Sequence, residues 1–247
     1  MAQLRLALAE EPSGSVEIAP GATWVPGWLD HEAQLELVDA FREWAAPPAG
    51  LRRPKMPNGA PFSTRAVCLG WHWFPYRYSR TCDDNDGAPV KEFPPLLERL
   101  GAAACRATGF EPVPYDAAIV NLYESGAKLG LHQDKIEGVE VIRAGSPVVT
   151  ISLGEACVFR FGNDEHPSRP YRDVRLASGD LFVFGGPSRL CYHGVPKVFF
   201  GTAPPDLGLH GRVSVTLRQI GTAGEEGASP PGAPGAPREG EAANRRG

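Results

Sequence analysis

No stretch of this 247-residue chain holds the run of roughly 20 apolar residues that a bilayer-spanning helix needs. The opening MAQLRLALAEEPSGS lacks a basic leader and a long apolar segment, so no secretory signal is expected and a cytoplasmic location is. Cysteine is scarce: Cys68, Cys82, Cys105, Cys157 and Cys191 are scattered, odd in number and never paired as C-x-x-C. That pattern argues against a thiolate zinc site or a disulfide framework and suits a reducing compartment. Charge of one sign is lacking too, since the net value is only -4, which speaks against a uniformly basic surface. Aromatics are missing from residues 222–247, TAGEEGASPPGAPGAPREGEAANRRG, which cannot bury enough apolar surface to offset their ordering entropy. A disordered tail is expected there, with a single domain over 1–221.

One local absence is more informative. From Leu51 to Cys82 there is no acidic residue, while Arg52, Arg53, Lys55, Arg65, Arg77 and Arg80 supply six cations. Phe62, Trp71, Trp73, Phe74, Tyr76 and Tyr78 are interleaved with them. Cations that meet phosphates and flat rings that stack on bases are what single-strand or flipped-base binding requires. A core-packing aromatic cluster with solvated arginines would leave the same pattern, and the segment alone does not choose.

What is present gives the architecture. Asp30 reads as the N-cap of a helix to about Ala46, with Leu35, Val38, Phe41 and Trp44 on one face. A second helix is predicted over Pro94 to Thr108, with Leu97, Leu100, Ala104 and Cys105 inward and Gly109 as its stop. After Tyr115 eight short runs of strand character follow: AAIVNLY, KLGLHQD, PVVTISLG, ACVFRFG, YRDVRLA, DLFVFGG, CYHGV and RVSVTLRQ. Helices first and strands afterwards predict an α+β domain with a double-sheet jelly-roll half over 115–221.

Within NLYESGAKLGLHQDK, His132 and Asp134 would share one face if the strand is extended. Alone, such a pair is more often a surface feature than a metal site. His193, in a strand of the same half, is the best third partner; His31, His166 and His210 read as surface. Two histidines and one carboxylate form the facial set that holds Fe(II) with open positions. In RVSVTLR, Arg212, Ser214, Thr216 and Arg218 alternate with apolar residues. Two arginines facing a barrel interior are costly unless an anion lies between them.

These motifs resemble the AlkB-type Fe(II)/2-oxoglutarate-dependent dioxygenases. The chain carries N-x-Y-x-x-G-x-x-L-x-x-H-x-D from Asn121 to Asp134. SLG at Ser152 to Gly154, SRL-x-YHG from Ser188 and R-x-x-x-T-x-R from Arg212 follow in order. Upstream, LGW at Leu69 to Trp71 and Y-x-YS at Tyr76 to Ser79 resemble the family's nucleotide-recognition lid, expected with a supporting helix over about 48–112. The resemblance implies a double-stranded β-helix core, with Fe(II) held by His132, Asp134 and His193. It implies 2-oxoglutarate held by Asn121, Tyr123, Arg212, Ser214 and Arg218, with O2 as oxidant. Trp71 is expected to stack on the substrate base, Tyr76 to meet the backbone, and Lys128 and Gln133, which flank the iron ligands, to reach phosphate. The implied activity is oxidative demethylation of N-alkylated bases of the 1-methyladenine and 3-methylcytosine type in DNA, with RNA as a second polymer, by a monomer without membrane partners. A hydroxylase of tRNA, protein or a small molecule, and a non-catalytic nucleic-acid-binding β domain, are the competing readings. Ser214 and Ile136 depart from the family's pattern, where asparagine and an acidic residue stand.

Overall fold

Asp30 starts the first helix. In the computed structural model, which describes residues 14–221 apart from Tyr76, its carboxylate accepts a hydrogen bond from the Ala33 backbone N–H at 2.8 Å. That bond satisfies one of the donors a helix start leaves open. Helix α1 (His31–Ala45) buries Leu37, Val38, Phe41 and Trp44. Leu35, expected on that face, is exposed: at 3.6 residues per turn it lies roughly 120° around the helix from Phe41. Helix α2 (Pro95–Ala107) begins on a proline whose fixed φ suits the first turn and buries Leu97, Leu100, Ala104 and Cys105.

All eight runs predicted as strands after Tyr115 contain strands, but strands also come earlier. β1 (Val16–Ala19) and β2 (Ala22–Val25) form a hairpin before α1, turning at Pro20 and Gly21, where φ is 75°. β3 (Arg65–Leu69), β4 (His72–Phe74) and β5 (Arg77–Ser79) precede α2. The expected order of helices first is therefore corrected. Through the buried Ala22 and Val25 and the half-buried Trp24, β2 pairs with Leu181–Phe184 and extends the sheet that this later strand joins.

The remaining strands are β6 (Ala117–Tyr123), β7 (Leu129–His132), β8 (Val148–Gly154), β9 (Ala156–Phe161), β10 (Arg172–Leu176), β11 (Leu181–Phe184), β12 (His193–Phe199) and β13 (Arg212–Arg218), with a short helix α3 (Val139–Arg143) after β7. They assemble into a seven-stranded sheet, β1-β2-β11-β8-β13-β6-β3, and a four-stranded sheet, β10-β9-β12-β7, while β4 and β5 pair alone. The strand pairings are antiparallel.

Aromatics join the two sheets. Phe159 of the small sheet meets Phe182 of the large one at 4.7 Å between centroids, and Phe161 meets Phe182 and Phe184 at 5.2 and 5.5 Å. The large sheet's other face, with Val213, Val215 and Leu217, packs under α1 and α2. Two facing antiparallel sheets with helices on the outside are an arrangement of the jelly-roll type. The tail over 222–247 and the opening segment through Ser13 lie outside the described residues.

Candidate metal centre and cavity

β13 lies between β6 and β8, and its register builds one wall of the site. Arg212 pairs with Tyr123 and Gly154, Ser214 with Asn121 and Ser152, and Thr216 with Ile119 and Thr150. Because alternate residues share a face, these polar rows turn away from the helices and toward the small sheet. On that sheet His193 of β12 stands directly across from His132 of β7, with rings 4.5 Å apart. Gly194 permits the approach: a Cβ there would lie 2.7 Å from the Leu129 carbonyl oxygen and 2.8 Å from that of Gly130.

Asp134 was expected to share the β7 strand, but β7 ends at His132. The chain turns out of the ladder, and the buried carboxylate still reaches the same point. The ligand atoms of His132, Asp134 and His193 lie within 4.8 Å of one another, the one such group among the described residues.

Their hydrogen bonds suit a cation. Nδ1 of His132 faces the Gly130 carbonyl at 3.0 Å, and Nδ1 of His193 faces the Cys191 carbonyl at 3.0 Å. Both carbonyls can only accept, which assigns the ring proton to Nδ1 and leaves each Nε2 with a lone pair. Those Nε2 atoms lie 3.7 and 3.6 Å from the two Asp134 oxygens. Oδ2 of Asp134 is buried and has no hydrogen-bond partner among the described residues. Burial pushes the Asp134 carboxyl up, but Arg218, the two histidines and Arg189 outweigh it and hold it at about 2. Burial, with His132 beside it, takes His193 down to about 4, so its imidazole is neutral and available as a ligand.

Deeper in the lumen, the Arg212 side chain is fully buried. Its Nη2 donates to Ser152 Oγ at 3.1 Å, while Nε and Nη1 have no partner among the described residues. Its Cζ lies 5.0 Å from the Tyr123 ring centroid. Burial pushes the Tyr123 phenol up to about 12, so it remains an O–H donor. A buried guanidinium with two idle donors beside a phenol O–H fits the free carboxylate of an oxoacid.

Arg218 is spent differently. Its Nη2 lies 2.6 Å from Asp134 Oδ1, and Nη1 donates to the Tyr78 hydroxyl at 3.2 Å. Burial would lower the Arg218 pKa, but Asp134, Tyr78 and Glu137 outweigh it and keep it charged.

A cavity of about 470 Å³ opens above the triad, lined by Asn121, His132, Gln133, Asp134 and Arg218 and by an apolar wall including Phe62, Trp73, Ile119 and Ile136. Trp71, expected as the stacking residue, is not in this lining. It is buried with Tyr78, Ala117 and Ile220, under the Arg80 guanidinium at 3.4 Å. Trp73, two residues on, takes the cavity side and meets Phe62 edge-on at 5.9 Å. Tyr76 lies outside the described residues.

Lys128 is exposed and outside the lining, its backbone N–H and carbonyl both engaged by Ser63 Oγ. Gln133 is in the lining, but its amide donates to the carbonyls of Asp164 and Leu190 at 2.9 and 2.8 Å. The six cations of the basic segment are less available than their number suggests. Arg52 is buried against Asp84, Arg53 and Arg65 face Glu124, and Arg77 faces Asp83. Ser152 and Arg189, which lie inside the SLG and SRL-x-YHG motifs, also belong to the site, as does Glu137, which only its place near Asp134 could have brought to attention.

A family model described as the 2OG-Fe(II) oxygenase superfamily matches residues 21–218. An alpha-ketoglutarate-dependent dioxygenase AlkB homolog of Caulobacter vibrioides is 36% identical over 211 residues, covering 83% of this chain and 90% of that protein. The DNA N(6)-methyladenine demethylase ALKBH1C of Arabidopsis thaliana is 34% identical over 84% of this chain. The chain spans about half the length of that protein and of its relative ALKBH1D. Among solved structures, that of OsALKBH1 superposes with a TM-score of 0.76 at 32% identity, over 83% of this chain and 100% of the other.

Proposed function

The chain belongs to the 2OG-Fe(II) oxygenase superfamily, and on that premise we propose that it removes alkyl groups oxidatively from N-alkylated bases in DNA, with RNA as a second polymer. The observation that carries the reading is the placement, on two facing sheets, of a His–Asp–His set and a fully buried arginine that has two donors without a partner among the described residues. In this reading His132, Asp134 and His193 hold Fe(II). Arg212, Tyr123 and Ser214 receive the distal end of 2-oxoglutarate, and Asn121 and Arg218 face its chelating end. A lysine at 212 would give a single point charge in place of a fork.

Iron and 2-oxoglutarate together supply the oxygen-activating chemistry, with succinate and carbon dioxide as co-products. The protein's part is to orient and to exclude water. The apolar wall of Phe62, Trp73, Ile119 and Ile136 accepts a flipped base and keeps the site dry. The N-alkyl carbon gains a hydroxyl, and the resulting hemiaminal releases the carbon as an aldehyde with the base restored.

The hairpin β4–β5 and the segment from Pro54 to Ala66 act as the nucleotide-recognition lid, since Trp73, Pro75, Phe62 and Met56 form the cavity's outer wall. Support for a nucleic-acid substrate comes from the relatives named as DNA demethylases. One observation favours the rival, a hydroxylase of tRNA, protein or a small molecule: several lid arginines are already paired with carboxylates.

Formaldehyde release from oligonucleotides carrying 1-methyladenine, 3-methylcytosine or N6-methyladenine separates the two readings. Release on at least one strand, dependent on iron and 2-oxoglutarate, supports the first. 2-Oxoglutarate turnover with no release on any strand favours the second.

A further inference from the structure

Glu137 lies three residues past Asp134, and its side chain is 0% exposed. It is outside the cavity lining, which passes from Ile136 to Tyr192 and Arg218. Its Oε1 accepts the Tyr78 hydroxyl at 2.9 Å and lies 3.4 Å from Arg218 Nη1. Its Oε2 lies 3.3 Å from Arg189 Nη2. The same two guanidiniums also hold Asp134: Arg218 Nη2 is 2.6 Å from its Oδ1, and Arg189 Nη1 donates to its backbone carbonyl at 2.6 Å. One carboxylate thus joins the β4–β5 hairpin, the end of β13, the loop before β12 and the loop that carries a metal ligand.

We propose that Glu137 is a positioning residue: it balances the two arginines that grip Asp134 and ties that grip to the lid through Tyr78. The charge arithmetic explains the need. Two buried cations face two buried carboxylates, Asp134 and Glu137. Asp134 can therefore give Oδ1 to Arg218 and keep Oδ2, which no donor among the described residues occupies, for a metal. Without the Glu137 charge, Arg189 is a buried cation with no carboxylate, an arrangement that is strongly unfavourable. Its nearest remaining anion is Asp134. Two guanidiniums on one carboxylate then compete with the metal for its oxygens. This inference rests on the iron site of the proposed function and not on its substrate.

Titration of the full chain with Co(II), followed by the visible absorption of the bound ion and paired with thermal melts, tests it. Glu137→Gln keeps the shape and removes the charge; its Co(II) affinity is expected to fall by about 10- to 100-fold, the usual loss when the support of a metal ligand is removed. The double variant Glu137→Gln/Arg189→Met removes one cation with one anion and is expected to regain most of that loss. Tyr78→Phe leaves the charges in place, so its Co(II) affinity should stay near that of the wild type while KM for an alkylated oligonucleotide rises.

Wild-type Co(II) affinity in Glu137→Gln overturns the proposal. So does a folded double variant that binds no better than the single one. If Glu137→Gln does not fold, a folded double variant with near-wild-type affinity upholds the proposal, and unfolding of both overturns it in favour of a purely structural role. Because no oligonucleotide enters the Co(II) titration, a wild type that binds Co(II) but releases no formaldehyde sinks the demethylase reading alone.

Discussion

His193 and His132 stand opposite each other on adjacent antiparallel strands, and their Nε2 atoms converge on the two oxygens of Asp134 at 3.6 and 3.7 Å. The contact exists because β12 pairs with β7 across a glycine, so the metal set is a product of sheet register. His193→Ala should leave the ladder and the circular dichroism spectrum intact. It should abolish stoichiometric metal in the purified, iron-reconstituted protein, measured by elemental analysis. Full metal content in that variant would remove His193 from the set.

Gly194→Ala tests the register itself. The added methyl would press on the carbonyl oxygens of Leu129 and Gly130 at 2.7 and 2.8 Å. Overpacking of this kind costs about 1–3 kcal/mol. Denaturant unfolding should show that loss, with weakened metal binding although no ligand has changed. Unaltered stability would mean that the strands can part at no cost.

Arg212→Lys should raise the 2-oxoglutarate KM by roughly 10- to 150-fold, the equivalent of the 1.5–3 kcal/mol carried by a hydrogen bond to a charged group. Lys128→Ala, at an exposed position outside the cavity, should move it less than about twofold, within the usual range for surface substitutions. Equal effects of the two changes would contradict the assignment of the buried arginine to the co-substrate.

The two tryptophans should separate cleanly. Trp71 is buried in a small cluster with Tyr78, Ala117 and Ile220, so Trp71→Ala should destabilise the fold by about 3–5 kcal/mol in denaturant titrations. Trp73→Ala, on the cavity wall, should spare stability and raise KM for an alkylated oligonucleotide. The reverse pattern would return Trp71 to the base-stacking role the sequence suggested.

Much of this is legible in the amino-acid sequence. The eight later strands showed in their apolar patterns and turn residues, and α1 in its aspartate cap. Alternation in RVSVTLR put Arg212, Ser214 and Arg218 on one face, which the register of β13 bears out. The β1–β2 hairpin was missed although VEIAPGATWV carries a proline–glycine turn between strand-like runs, because four-residue strands give too few alternations to stand out. Trp71 and Trp73 share a sequence neighbourhood, and only their packing in the fold separates the buried ring from the one that lines the cavity. The pairing of Arg53 and Arg65 with Glu124 was invisible for a different reason. That carboxylate lies far outside the acid-free segment and reaches it only through folding. Glu137 is harder still to see, because a carboxylate balanced by two distant arginines leaves no local pattern in the chain.

We propose that the triad and the buried Arg212 serve one oxidative reaction on an alkylated base. The most direct test is formaldehyde released per 2-oxoglutarate consumed, on methylated oligonucleotides, for the wild type and for His132→Ala. We expect release close to one per 2-oxoglutarate on at least one lesion in the wild type, and none in the variant at an unchanged melting temperature. Release that persists in folded His132→Ala, or its absence on every lesion while the wild type consumes 2-oxoglutarate, would contradict the account.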